Sequence, residues 1–205
     1  MKPAADTILA ILIATSFAAG LNVYATVATL GLLARAEVMT LPPALHPVES
    51  WWVIGACLAL FLIEFFADKV PAFDLIWNAL HTFVRVPVAA LLAYGATSGL
   101  SPEAQLLSTL LGALIALAAH GGKTAARAAV TPSPEPLSNI SLSLGEDIVA
   151  VFLTWLATQH PYWAAGIALV GVAFVILLVR FVIRSLRALF RGAEHALAEP
   201  HPRRL

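Results

Sequence analysis

Residues 163–181 have the sequence WAAGIALVGVAFVILLVRF, which contains no charged side chain before Arg180. As one helix, such a run is long enough to cross the roughly 30 Å hydrocarbon core of a bilayer. The whole chain has this character: of 205 residues, 60% are hydrophobic and 12% are charged, and the mean hydropathy is +0.87. Soluble domains carry roughly 25% charged residues. The sequence therefore predicts an all-α, polytopic integral membrane protein.

Loop residues, chiefly proline and glycine, divide the chain into about six apolar segments. The predicted transmembrane spans are residues 7–33, 51–66, 73–94, 103–120, 137–158 and 163–181, and the fourth is expected to stop at Gly121–Gly122. These spans leave no stretch for a separate globular domain. We expect a single transmembrane domain over residues 1–205, in which residues 182–205 form a basic cytoplasmic tail.

Lysine and arginine residues in short loops favour the cytoplasmic side of a membrane. With a cytoplasmic N-terminus, that side receives Lys2, Lys69, Lys123, Arg127 and the tail arginines, whereas the outer side receives only Arg35. Aromatic residues at the predicted outer ends agree with this orientation. We therefore expect a protein of the inner membrane with both termini in the cytoplasm.

The tail carries a basic stripe at helical spacing, formed by Arg180, Arg184, Arg187 and Arg191. Apolar residues lie beside it, so the pattern predicts a helix that lies along anionic lipid head groups. Anchoring by positive charge, without specific lipid recognition, is the simpler alternative. The formal net charge of the chain is zero, and no nucleic-acid partner is expected.

Two pairs of spans share a pattern that suggests an internal duplication of a two-helix hairpin. In each pair a basic loop precedes a helix with asparagine, then a hydroxyl four residues later and a charge seven residues later. The matching positions are Asn78, Thr82 and Arg85 in the third span, and Asn139, Ser143 and Glu146 in the fifth. Chance similarity between apolar helices is the alternative explanation.

Ionisable side chains inside spans are costly and usually face a partner or a water-filled cavity. Arg85 is near the middle of the third span, and Glu146 and Asp147 are at a comparable depth in the fifth. We expect Arg85 to face one of these acids, which leaves a spare carboxylate for a proton, a cation or a polar head group. A buried ion pair that locks the helices together is the alternative. Glu64 and Asp68 share a helix face near the end of the second span.

Further polar residues are candidates for the lining of a pathway. Asn22 follows a glycine within the first span, where the segment GLNVYATVAT suggests either a local unwinding or hydrogen bonds between helices. We expect Asn22, together with Asn78 and Asn139, to supply hydrogen bonds to a polar centre. The residues expected to form a basic cytoplasmic vestibule are Lys69, Lys123 and Arg127.

Catalytic and cofactor motifs are weak in this sequence. His81 and His120 lack the spacing of a metal-binding motif such as HExxH, so neither a metal nor another cofactor is expected. The string HGGKTAARA lacks the leading glycine of a phosphate-binding loop. No nucleophile–base arrangement is evident, so no catalytic residue is predicted.

Three long strings resemble the bacterial multi-pass membrane-protein family catalogued as domain of unknown function 4126. They are SFAAGLNVYATVATLGLLAR, FFADKVPAFDLIWNALHTFVRVP and HGGKTAARAAVTPSPEPLSNISLSLGEDIVA, which lie between Ser16 and Ala150. The resemblance implies a multi-pass protein without an assigned biochemical activity. It supplies no catalytic or ligand-binding residue.

The residues support two main hypotheses of function. The first is transport or permeation of a small or anionic solute, or of a lipid head group, through the polar centre between the repeats; it predicts a homodimer or a partner subunit. The second is a non-transporting structural or accessory subunit, in which the same charges lock the helices together. A lipid-modifying enzyme is a third alternative.

Overall fold

The computed structural model describes residues 4–68, 71–130 and 136–198, and these ranges form helices and short connections without any strand. The elements are α1 (Ala5–Leu21), α2 (Val23–Arg35), a 3₁₀ helix (Pro43–Glu49), α3 (Trp51–Ala67), α4 (Pro71–Ala96), α5 (Pro102–Val130), α6 (Pro136–Gln159) and α7 (Pro161–Ala198). The all-α class predicted from the sequence is thus confirmed.

Four helices within the described ranges are long and apolar enough to cross a membrane, namely Ile76–Ala96, Pro102–Arg127, Ile140–Gln159 and Pro161–Ser185. The 3₁₀ helix and α3 meet at a bend of 61° and make a fifth span if they are counted together. The chain is therefore a helical membrane protein with four to five candidate spans. Six spans are not confirmed, and the internal duplication stays a prediction.

The predicted first span is divided into two helices that begin and end at the same end of the bundle. At the start of α1, Thr7 and Asp6 both hydrogen-bond to the Tyr162 hydroxyl at the start of α7. At the end of α2, the Arg35 guanidinium donates to the Glu49 carbonyl just before α3 begins. Ile8 near the start of α1 and Leu30 near the end of α2 also line one pocket, so the pair α1–α2 is a re-entrant hairpin. We call the end of the bundle where α1 begins the N-terminal end, and the end where α7 finishes the C-terminal end.

Asn22 forms the tip of this hairpin because its backbone is extended, with φ −148° and ψ 103°. Its N–H donates to Ala18 at 2.9 Å and closes α1, while its side-chain oxygen accepts from the Ala25 N–H at 2.9 Å and caps α2. Asparagine is among the preferred residues at such a cap. Gly20 lets α1 approach α5 closely, because a Cβ there would lie 2.5 Å from the Ala116 carbonyl oxygen.

The hairpin tip is the centre of the bundle. Every residue from Ala14 to Ala28 is buried, and α1 packs against α4, α5, α6 and α7 while α2 packs against α3 and α6. Because non-helical backbone in a membrane is tolerated where protein surrounds it, this enclosure explains how the chain can break and return at Asn22.

The start of α1 and the end of α7 lie at opposite ends of the bundle, and the orientation of the two termini in a membrane stays a prediction. One expectation about the chain's course needs correction. The fourth span does not stop at the glycine pair, since α5 continues to Val130. A Cβ at Gly122 would collide with the Val175 side chain of α7, so the glycine permits close packing rather than ending the helix.

Candidate functional site

Charged side chains from four consecutive elements converge inside the C-terminal half of the bundle. Each like-charged pair is spaced by four residues and therefore shares one helix face, one turn apart. The acidic pair is Glu64 and Asp68, and the basic pair is Lys123 and Arg127. We name this group the ion cluster; its members are Glu64, Asp68, Arg85, Lys123, Arg127 and Glu146.

Glu64 joins the two deepest cations of the ion cluster. Its Oε1 accepts from the Arg85 guanidinium of α4 in a direct ion pair. The same oxygen lies 3.2 Å from the Lys123 ammonium of α5. Lys123 in turn lies 3.1 Å from Asp68, at the end of α3.

Arg127 continues the cluster towards the C-terminal end. Its guanidinium lies 2.7 Å from both Asp68 and Glu146, so it bridges α3 and α6. Lys123 also reaches Glu146, at 3.3 Å. The Ser143 hydroxyl donates to Asp68 at 3.4 Å. Three cations and three carboxylates therefore alternate through the cluster.

The cluster is almost entirely shielded from solvent. Side-chain exposure is 0% for Glu64, Asp68, Arg85 and Lys123, and it rises only to 4% for Arg127 and 10% for Glu146. Desolvating charges is costly, and removing one partner of a buried pair leaves the other uncompensated. The slight exposure of Glu146 identifies the edge of the cluster nearest to the surface.

A polar shell surrounds the Arg85 guanidinium. It donates to His120 Nδ1 at 2.7 Å and to Asn78 Oδ1 at 3.3 Å. Because arginine has no acceptor, His120 Nδ1 must accept and the ring proton must be on Nε2. That nitrogen lies 2.8 Å from the Thr82 hydroxyl and 3.1 Å from the Asn78 carbonyl.

The re-entrant hairpin rests on the cluster through its tip. Asn22 Nδ2 donates to Asp147 Oδ1 at 2.8 Å. The Leu21 carbonyl, at the end of α1, lies 3.4 Å from the Lys123 ammonium. A cation at a helix C-terminus interacts favourably with the helix dipole and with its unsatisfied carbonyls. The hairpin tip and the ion cluster are thus parts of one polar centre.

A second histidine joins α4 to α2. His81 Nδ1 bonds the Trp77 carbonyl at 2.8 Å, so it carries the proton, and His81 Nε2 accepts from the Tyr24 hydroxyl at 2.9 Å. Within residues 4–68, 71–130 and 136–198, no three potential ligand side chains are grouped to hold a metal ion.

The structure brings most of the predicted site residues together but with different partners. Arg85 pairs with Glu64, not with the two acids of α6 expected from the sequence. Glu146 contacts the α5 cations, and Asp147 contacts Asn22. Lys69 lies outside the described residues, as does the side chain of Asn139.

Sequence reasoning left three members of the polar centre out of the predicted site. Glu64 and Asp68 were recognisable as an acidic pair on one helix face, and this pattern mirrors the basic pair on α5. His120 gave less indication, because its position beside Arg85 depends on how α4 packs against α5.

The fold and this centre define a class: a small helical membrane protein with a re-entrant hairpin docked on a buried ion cluster. The chain belongs to the family described as Domain of unknown function (DUF4126), whose match covers residues 9–181. This confirms the resemblance found in the sequence. Neither the curated proteins nor the solved structures contain a match to the chain.

Proposed function

We propose that this protein transports a small anionic solute, or the head group of an anionic lipid, and that the ion cluster is its closed gate. The observation that carries the proposal is the re-entrant hairpin, broken at Asn22 and docked on ionisable side chains. Broken helices with polar tips near the middle of the membrane form the substrate sites of many transporters. The cluster is then the closed state of a pathway that opens when its ion pairs separate.

The charge distribution supports an orientation for this gate. Among the described residues, Lys123, Arg127 and the exposed Arg180 and Arg184 lie towards the C-terminal end, whereas the N-terminal end has Arg35. The positive-inside rule then places the C-terminal end in the cytoplasm and the start of α1 outside. In this orientation, separation of the ion pairs exposes Lys123 and Arg127 to anions from the cytoplasm, and the tail helix lies near anionic lipids of the inner membrane. A homodimer or a partner subunit remains part of the proposal.

The test is anion release from proteoliposomes loaded with chloride, acetate or phosphate. We expect wild-type vesicles to release at least one of these anions faster than protein-free vesicles. Glu146→Gln should raise release several-fold, because it removes a carboxylate that closes the gate and leaves Arg127 more available to an anion. Arg180→Gln, an exposed change on α7, is the matched control and should leave release unchanged.

One outcome overturns the transport proposal. If the wild type, Glu146→Gln and Arg127→Gln all release these anions no faster than protein-free vesicles, while circular dichroism and gel filtration show folded protein, the gate proposal fails.

A second candidate function, a structural or accessory membrane subunit, is favoured by the direct pairing of all six cluster charges. Its test exchanges one pair, with Glu64→Arg and Arg85→Glu made singly and together. A lock predicts that each single variant is destabilised, that the double variant recovers most of the stability, and that no variant conducts. If the double variant is stable and also alters anion release, a purely structural role is excluded.

A further inference from the structure

Asp147 differs from every other buried acid of the polar centre. The residue is 4% exposed. Oδ1 accepts from Asn22, and Oδ2, like Oε2 of Glu64, is buried without a hydrogen-bond partner in the described part of the chain. The three carboxylates of the ion cluster each lie within 4 Å of a lysine or arginine, whereas no such cation contact is found for Asp147 among the described residues.

Asp147 is one of the residues that line an apolar groove between α3 and α6. The groove has a volume of about 470 Å³ and is formed by Phe61 and Phe65 of α3 and by α6 residues that include Phe152 and Trp155. Asp147 is the one ionisable side chain among the described residues that line it. The volume lies within the roughly 300–1,000 Å³ range of small-molecule sites.

The charges that face Asp147 do not compensate it. Lys123 faces it from α5, while Glu64 and Asp68 face it from α3. The hairpin contributes the neutral Asn22, and the adjacent Glu146 is already engaged with Arg127. An ionised carboxylate here would have one hydrogen bond and would otherwise be buried beside an apolar groove. Buried groups in that position usually become neutral rather than remain charged and unpaired.

We propose that Asp147 is a proton-binding carboxyl that is reached through the groove between α3 and α6. The proton is held on Oδ2, while Oδ1 continues to accept from Asn22. Loss of that proton leaves a negative charge beside the hairpin tip and strengthens the hydrogen bond that Asn22 donates to Oδ1. Protonation of a residue in the groove therefore changes a contact of the re-entrant hairpin. The inference concerns the binding of a proton and does not depend on the proposed transport function.

Carbodiimide labelling tests this site directly. Dicyclohexylcarbodiimide partitions into the bilayer and adds to protonated carboxyls. We expect one adduct, located at Asp147 by peptide mass mapping of the wild type, with a yield that falls as the pH is raised. A water-soluble carbodiimide should instead label exposed acids such as Glu103.

Three variants test whether the labelling depends on Asp147 and on access through the groove. Asp147→Asn should abolish the adduct, whereas Glu103→Gln should leave it unchanged. Val151→Trp, which places a bulky ring in the groove, should slow labelling and keeps the test informative if Asp147→Asn does not fold. The proposal is overturned if folded wild-type protein gives no adduct at Asp147 at any pH, or if the yield does not change with pH. Anion release is measured separately, so a failure of transport does not affect this result.

Discussion

The two ends of the bundle are held together by different interactions. The C-terminal half contains the ion cluster, in which four helical regions meet through short contacts between charges. The N-terminal end contains a pocket of about 940 Å³ lined mainly by apolar side chains from α1, α4 and the segment before α3, such as Ile11, Leu45 and Leu92.

This difference teaches where the molecule can change shape at low cost. Ion pairs depend strongly on distance, and separating buried charges leaves each one desolvated. Apolar contacts are non-directional and tolerate small displacements. We therefore expect the N-terminal end to rearrange readily, and the C-terminal end to resist until its charges are screened, protonated or replaced.

The largest expected effect comes from breaking the cluster at its deepest pair. Arg85→Gln leaves Glu64 with Lys123 alone and removes the donor to His120. Truncating one partner of a buried ion pair costs about 3–5 kcal/mol, so the variant should unfold at a much lower temperature in detergent or nanodiscs. Thermal unfolding followed by circular dichroism is the measurement.

The size of the stability loss in Arg85→Gln tests the proposed difference between the two ends of the bundle. A loss below about 1 kcal/mol, typical of exposed ion pairs, would mean that the cluster is hydrated in the membrane. The two ends would then not differ in the way proposed.

How far the sequence predicts this arrangement depends on the feature. The third span was predicted at residues 73–94 and α4 is Pro71–Ala96, because a long apolar run specifies a helix whatever its neighbours are. For the segment around Asn22, local unwinding was one of two interpretations, the other being hydrogen bonds between helices, and the return of α2 to the same end was not predicted. Hydropathy reports that a segment is apolar and carries no information on its direction after a break.

Partners within the site were harder to predict than its members. Arg85 and Glu146 were both recognised, yet the sequence paired Arg85 with the wrong acid. Depth along each helix could be counted at about 1.5 Å per residue, whereas the choice between Glu64 and Glu146 depends on which helices pack side by side. A single sequence does not reveal that packing.

A medium effect is expected at the N-terminal end. Leu45 is 9% exposed and its side chain lies against Gly95 of α4. Leu45→Ala should cost about 2 kcal/mol, near the lower limit for buried leucines, because it widens a pocket that is already open. The same thermal unfolding assay measures it. Leu58→Ala, at a 42% exposed position of α3, is the control and should change stability by less than about 0.5 kcal/mol. Equal losses for Leu45→Ala and Arg85→Gln would contradict the proposed difference between the ends.

The smallest effect on stability is expected for Arg35 at the N-terminal end, in contrast to Arg85 in the ion cluster. Arg35 is exposed, lies 4.4 Å above the Trp51 ring and donates to the Glu49 carbonyl at 2.8 Å. A cation over an exposed aromatic ring contributes about 0.5–1 kcal/mol, so Arg35→Gln should lower the unfolding temperature only slightly. Arg35→Lys should retain part of the cation–ring attraction while losing the planar donor that reaches Glu49. If Arg35→Gln were as damaging as Arg85→Gln, the turn from α2 into α3 would be as essential as the ion cluster, and charge burial would not explain which arginine matters more.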